Sequence, residues 1–120
     1  MPTLPFQKLL IWQKSMLIAK KTYEMTKNFP KDEMYGLSQQ MRRAAVSIPS
    51  NIAEGSQKFS DRDFSRYLRI SKGSLAELET QLLLAREFSY LSTAEADAAL
   101  EEIVALSKML RSFIATIATR

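Results

Sequence analysis

The chain of 120 residues contains no cysteine and no histidine. Without cysteine it can form neither a disulfide framework nor a zinc-finger ligand set, and it lacks a thiol nucleophile. Without histidine it cannot supply the imidazoles of a di-iron or di-manganese bundle, or those of a Ser-His-Asp or Cys-His site. A carboxylate-only or lysine-based active site stays open, but neither a glycine-rich phosphate loop nor a paired-carboxylate motif supports one. We therefore expect a non-enzymatic protein with no metal and no cofactor.

Glycine and proline are scarce, at three and four residues respectively. A β-sandwich or barrel needs more turn-forming residues than this, whereas helix formers such as alanine, leucine, lysine and glutamate are abundant. The length fits one domain, and 46% hydrophobic residues suffice for a sizeable core. We expect a single all-α domain over residues 1–120.

Long hydrophobic runs are also missing, since no window approaches the roughly 18 uncharged apolar residues of a membrane span. The N-terminal residues lack the basic segment, the apolar run and the small-residue cleavage site of a signal peptide. We expect no membrane contact and a cytoplasmic location.

The net charge of +4 is unevenly distributed along the chain. Residues 1–28 carry five lysines against one glutamate, whereas residues 92–120 carry three basic and four acidic residues. A basic first quarter is compatible with a polyanionic partner, although a solvated lysine face is the commoner explanation.

Four stretches place apolar residues at steps of three and four, the period of an amphipathic helix. They predict helices over residues of about 8–28, 33–58, 61–90 and 93–118, and the short links between them favour an up-down-up-down antiparallel four-helix bundle. The predicted core positions, helix by helix, are Leu9, Trp12, Met16, Ala19 and Tyr23; Met34, Leu37, Met41, Ala44, Ile48 and Ile52; Phe64, Leu68, Ser71, Leu75, Leu78, Leu82 and Ala85; and Leu100, Ile103, Leu110, Ile114 and Ile117.

Local signals mark the helix starts and one irregularity. Ser60 is a predicted N-cap, and Ser92 with Glu95 forms a predicted capping box. Pro49 lies inside the second helix, where it removes the hydrogen bond to the Ala45 carbonyl. We therefore expect this helix to be kinked at Pro49.

Small and polar residues around and after Pro49 predict a hydrogen-bonded seam between the second and third helices. A glycine in mid-helix costs about 1 kcal/mol relative to alanine, so Gly73 indicates close approach of another backbone. Asn51 and Glu54 share one surface, and a polar clamp on the kinked helix is favoured over a ligand-facing role or plain solvent exposure. The predicted seam consists of Ser50, Asn51, Glu54, Gly55, Gly73, Ser74 and Glu77.

Basic residues at steps of three and four form a stripe at the start of the third helix, and basic residues of the second helix extend it. Such a surface suits phosphate contacts, which are electrostatic and carry no sequence information. Charge balancing by Asp63, Glu77 and Glu79 is the alternative. The candidate nucleic-acid contacts are Arg42, Arg43, Lys58, Arg62, Arg66, Arg69 and Lys72.

Together these segments resemble the bacterial four-helix-bundle family that includes the 23S rRNA intervening-sequence proteins and, more distantly, the accessory variability determinant of diversity-generating retroelements. The resemblance covers nearly the whole chain and is weakest after Leu91. The residues that carry it are Phe6, Leu9 and Trp12, Phe29–Pro30, Gly36–Leu37, Gln40–Ala44, Ser47–Gly55, Phe64, Tyr67–Leu68, Gly73–Ser74 and Glu77–Leu82.

The resemblance implies a small bundle with a basic surface, typically a homopentamer around a central channel. Some relatives are encoded inside insertions in ribosomal RNA genes, and the retroelement relative binds nucleic acid and a reverse transcriptase. We therefore expect a homo-oligomer, by resemblance a pentamer, that binds RNA or DNA through phosphate contacts. The alternative is a protein-interaction or scaffold module with no nucleic-acid role, whose basic residues are solvated or paired.

Second apolar stripes on two helices agree with self-association, because they present more hydrophobic surface than one antiparallel neighbour covers. On the third helix this stripe includes Ile70, Leu84 and Phe88. On the fourth helix it includes Leu106, Met109 and Phe113.

Overall fold

The computed structural model describes residues 4–120. The first three residues of the predicted 1–120 domain lie outside this part of the chain. Four α-helices follow one another, with short 3-10 turns at Pro5–Lys8 and Lys31–Glu33 before the first and second of them. The helices are α1 (Leu10–Thr26), α2 (Leu37–Ser56), α3 (Asp61–Glu87) and α4 (Thr93–Ala118).

The helices form the predicted antiparallel four-helix bundle. Each helix packs against its neighbour in the chain, and α4 returns to pack against α1, whereas the diagonal pairs make no close backbone contact. The bundle measures 45 × 30 × 20 Å. No strand occurs in residues 4–120, and none of the described helices is apolar enough over its length to cross a membrane.

The last two helices begin where the sequence predicts. The Ser60 side chain accepts a hydrogen bond from the amide of Asp63 at 3.1 Å. In the capping box, the Glu95 amide donates to Ser92 Oγ at 3.1 Å and the Ser92 amide donates to Glu95 Oε1 at 3.2 Å. These bonds satisfy amides that have no partner within the helix.

Two predicted helix boundaries differ from the observed ones by more than two residues. Helix α2 begins at Leu37, four residues late, because Lys31–Glu33 forms a 3-10 turn instead and leaves Met34 56% exposed. Helix α3 ends at Glu87, three residues early, since Ser89 takes a left-handed conformation with φ of 62°. A glycine is the usual signal for such a stop, and here a serine occupies the position. Helix α2 is continuous through Pro49, and the kink expected there stays a prediction.

The buried face of α1 differs from the predicted one. Met16 and Tyr23 are 44% and 41% exposed, so their assignment to the core is wrong. The side chains that are buried include three hydroxyl residues: Ile11, Ser15, Ile18, Thr22 and Thr26. These hydroxyls donate to carbonyls of the preceding turn, as Thr22 does to Ile18 at 2.8 Å, so their burial leaves no unpaired donor.

The core between α2, α3 and α4 follows the predicted spacing. All seven predicted core positions of α3 are buried. Leu106 of α4 is fully buried and Met109 and Phe113 pack against the core, so the second stripe predicted on this helix is internal. On α3 the second stripe remains at the surface, where Leu84 is 41% and Phe88 54% exposed.

Candidate nucleic-acid interface

The seven basic candidates occupy two regions of the bundle. Arg42 and Arg43 lie in the first half of α2. The other five start beyond the end of α2 and continue along the antiparallel α3, so that Lys72 lies level with the middle of α2, where Ser71 bonds to Ile48. They are Lys58 in the link and Arg62, Arg66, Arg69 and Lys72 on α3.

Three arginines project from one face of α3, and we call Arg62, Arg66 and Arg69 the α3 basic face. Steps of four and three residues on a helix of 3.6 residues per turn keep these side chains within about 60° of one another. All three are exposed. They point away from the buried Phe64 and Leu68 of the same helix, so a phosphate backbone can reach them together.

Carboxylates neutralise little of the α3 basic face. Within residues 4–120, no ion pair involves Arg62 or Arg69. Arg66 Nη2 lies 4.0 Å from Asp63 Oδ1, and both side chains are at least half exposed to solvent, so this pair contributes little. The glutamates farther along α3 make no ion pair with these arginines. Direct ion pairing of the α3 basic face with carboxylates, the alternative to phosphate contacts, is thus limited to the 4.0 Å contact between Arg66 and Asp63.

An open groove of about 880 Å³ runs between the start of α3 and the end of α4. The α3 basic face lines it together with Asp61, Asp63, Ile117 and Arg120. Nε and Nη2 of Arg120 donate to the two carboxylate oxygens of Asp61 at 2.9 Å each. This hydrogen-bonded pair holds the pKa of Asp61 below its usual range. Asp61 is therefore ionised at neutral pH and paired with Arg120, not with the α3 basic face.

The ring of Tyr67 lies close to two cations of this region. Lys58 Nζ is 5.2 Å and Arg66 Cζ is 5.0 Å from the ring centroid, both within cation–π distance. Tyr67 thus links the end of α2 to the start of α3. Lys72 lines a second cleft together with Arg69 of the α3 basic face and Ser107 of α4.

Arg42 is engaged within the protein. Its Nε donates to Thr26 Oγ1 at 2.8 Å, and its Nη2 donates to the Tyr23 carbonyl at 3.4 Å. Its guanidinium carbon lies 4.6 Å from the centre of the Tyr23 ring. These contacts join α2 to α1 and use two of the five N–H donors of the guanidinium group, whereas the neighbouring Arg43 is exposed.

The polar seam between α2 and α3 has a different membership from the predicted one. Ser74 Oγ donates to Ser47 Oγ at 2.9 Å, and Ser71 Oγ donates to the Ile48 carbonyl at 2.9 Å. Asn51 Nδ2 donates to the Ser47 carbonyl at 2.8 Å. Of the predicted members only Asn51 and Ser74 take part. Ser50, Glu54 and Glu77 make no side-chain hydrogen bond among the described residues, and Ser50 and Glu54 are exposed.

The close approach between α2 and α3 occurs at Gly55, and its prediction at Gly73 is wrong. A Cβ atom added to Gly73 would meet no atom of residues 4–120 within 4 Å. At Gly55 it would lie 2.6 Å from Tyr67 Cβ and 3.0 Å from the Phe64 ring. Gly55 therefore brings the end of α2 against the Tyr67 side chain, beside the α3 basic face.

Sequence reasoning missed Phe59, Tyr67 and Arg120 as members of this region. Phe59 lies in the link between α2 and α3, where no helical periodicity draws attention to it. Its position next to Lys58 is the signal that the sequence offers, because aromatic residues beside basic ones are typical of nucleic-acid surfaces. No periodic pattern marks Arg120 either, and its contact with Asp61 is set by the fold.

Comparisons with known proteins agree with this fold. A model of the family described as 23S rRNA-intervening sequence protein matches residues 7–112. A crystal structure of a protein with unknown function from the S23 ribosomal protein family from Bacteroides thetaiotaomicron VPI-5482 is 26% identical, with a TM-score of 0.79. The similarity covers 88% of this chain and 98% of that one. Among curated proteins, none matches this chain.

Proposed function

Because the chain belongs to the 23S rRNA-intervening sequence protein family, we propose that it is a non-enzymatic, cytoplasmic protein that binds RNA or DNA. The α3 basic face contacts the phosphates. The observation that carries this proposal is the position of Arg62, Arg66 and Arg69, which share one exposed face and line an open groove. Within the described residues, no carboxylate forms an ion pair with Arg62 or Arg69.

The spacing along α3 favours a backbone contact. At a rise of about 1.5 Å per residue, the three arginines span roughly 10 Å of the helix, so successive side chains can serve successive phosphates of one strand. Guanidinium groups bind phosphates bidentately and remain charged at every physiological pH. Contacts of this kind fix the position of the nucleic acid and do not read its sequence.

A titration against structured RNA at two salt concentrations tests the proposal. If three phosphates are contacted, the affinity should fall about 20- to 40-fold between roughly 50 and 200 mM salt, because each contact releases counterions. Absence of binding at the lower salt concentration would contradict the proposal. It would leave a protein-interaction or scaffold module as the better hypothesis.

We also propose that the protein acts as a homo-oligomer, by family resemblance a pentamer. The support within this chain is the apolar outer surface of α3, where Ile70, Leu84 and Phe88 are each at least 41% exposed. Exposed apolar side chains on one helix face are typical of a surface that another chain covers. A cyclic assembly would repeat the α3 basic face in every copy and so raise the affinity for a long polyanion.

Light scattering of the purified protein tests this assembly. We expect a molar mass several times that of the 13.7 kDa chain, and five times that mass for the pentamer. A mass of 13.7 kDa at micromolar concentration would rule out the oligomer without bearing on phosphate contacts by the single chain.

A further inference from the structure

Phe59 is the most exposed large hydrophobic side chain in the described residues, with a relative exposure of 108%. By contrast, Phe29 and Phe64 are 7% and 8% exposed. A fully solvated phenylalanine contributes nothing to the core, and its ring is free to take a ligand on either side.

The chain holds Phe59 in place by fixing both of its neighbours. The Lys58 amide donates to the Gly55 carbonyl at 3.1 Å, and its ammonium group lies 5.2 Å from the Tyr67 ring centroid. On the other side, Ser60 caps α3 by accepting from the Asp63 amide at 3.1 Å. The link between α2 and α3 has four residues, so the ring projects from an anchored backbone. Such preorganisation lowers the entropy lost when a ligand binds.

The surroundings of Phe59 are polar and charged. Lys58 and Ser60 flank it in sequence, Asp61 is paired with Arg120, and Arg62 lies three residues after Phe59. The groove beside the α3 basic face is lined from Ser60 onward, so it starts at the residue next to Phe59. An apolar protein partner would call for further apolar side chains around the ring, whereas one aromatic ring next to Lys58 and the α3 basic face fits an anionic ligand with flat, stackable groups.

We propose that Phe59 is a stacking platform for an unpaired base, and that the same strand continues along the α3 basic face. The ligand class is single-stranded nucleic acid or an unpaired loop of a folded RNA. Proteins that bind such strands combine aromatic side chains, on which bases stack, with a positively charged groove that follows the backbone. This inference rests on the proposed function, since the phosphates must bind before one base can be placed.

The test compares the full-length protein with its Phe59→Ala variant. Both are titrated with an unstructured RNA of about ten nucleotides, which carries an adenine analogue whose fluorescence falls on stacking, and with an RNA duplex of similar length. We expect Phe59→Ala to bind the single strand at least about fivefold more weakly, as the loss of one stacked base predicts. The variant should also lose the fluorescence quenching and bind the duplex as the unsubstituted protein does. Phe59→Trp should retain both single-strand affinity and quenching.

Tyr35→Ala is the matched control, because Tyr35 is 84% exposed at the opposite end of α2. It should change neither titration. Equal single-strand affinities for the unsubstituted protein and Phe59→Ala would overturn this inference and leave the proposed function standing. A reduced oligomer mass for Phe59→Ala would also overturn it, by showing that Phe59 docks on a second copy. If the unsubstituted protein bound neither RNA at low salt, both proposals would fall.

Discussion

We expect the Arg62→Gln/Arg66→Gln/Arg69→Gln variant to bind structured RNA about 100-fold more weakly at 0.15 M salt. Each phosphate contact contributes roughly four- to fivefold at this ionic strength through counterion release. The three losses multiply, so the association constant should fall by about two orders of magnitude. Glutamine keeps much of the side-chain length and the helix propensity of arginine, and the three positions are exposed. The free energy of unfolding should consequently change little, and fluorescence anisotropy with labelled RNA measures the loss of affinity.

A second triple variant separates a local effect from the loss of net charge. Lys14→Gln/Lys20→Gln/Lys27→Gln removes the same three charges from exposed positions of the first helix region. If binding occurs on the α3 basic face, this control should lose far less affinity than the arginine variant. Equal losses in the two variants would show that only overall charge matters, and the assignment of the site to α3 would be wrong.

We expect Gly55→Ala to lower the free energy of unfolding by up to about 2 kcal/mol, because overpacking costs about 1–3 kcal/mol and the helix propensity of alanine returns about 1 kcal/mol. The new methyl group would lie 2.6 Å from Tyr67 Cβ, whereas carbon atoms in contact are normally about 3.5–4.0 Å apart. Tyr67 Cβ is fixed to the α3 backbone, so the end of α2 and the start of α3 must move apart. This cost exceeds the gain of roughly 1 kcal/mol that alanine brings to a helix interior. Urea unfolding followed by circular dichroism measures the change.

Gly73→Ala is the matched control, since the same substitution is made at a glycine of α3 with open space around it. Only the higher helix propensity of alanine acts at that position, so we expect the free energy of unfolding to rise by about 1 kcal/mol. The two variants should therefore shift the unfolding midpoint in opposite directions. A stabilising Gly55→Ala, or a destabilising Gly73→Ala, would contradict the packing described between α2 and α3.

The fold could be predicted largely from the sequence because its strongest signals are local and periodic. The seven core positions of α3 recur at steps of three and four, and the caps at Ser60 and Ser92 use side chains within three residues of their partners. The family resemblance drawn from the same segments is confirmed by the match over residues 7–112. The buried face of α1 was missed for a physical reason: Thr22 and Thr26 satisfy their hydroxyls within the helix, so polar residue types occupy core positions.

The candidate site was only partly predictable, because its details depend on which helices meet and where. Spacing alone placed the arginines of the α3 basic face on one side of a helix. It could not show that Arg42 is held by Thr26 and Tyr23, which requires the packing of α2 on α1. Nor could spacing show that the close contact between α2 and α3 lies at Gly55 and not at Gly73. A glycine in mid-helix indicates close packing as a rule, but here the contact occurs at Gly55, one residue from the end of α2.

The salt dependence of RNA binding, measured side by side for the unsubstituted protein and the Arg62→Gln/Arg66→Gln/Arg69→Gln variant, tests phosphate binding by the α3 basic face most directly. The logarithm of the association constant should fall linearly with the logarithm of the salt concentration in both proteins. The slope of the variant should be shallower by about 2 to 3 units, which corresponds to three lost phosphate contacts. Identical slopes, or no binding by the unsubstituted protein at low salt, would contradict the proposed function.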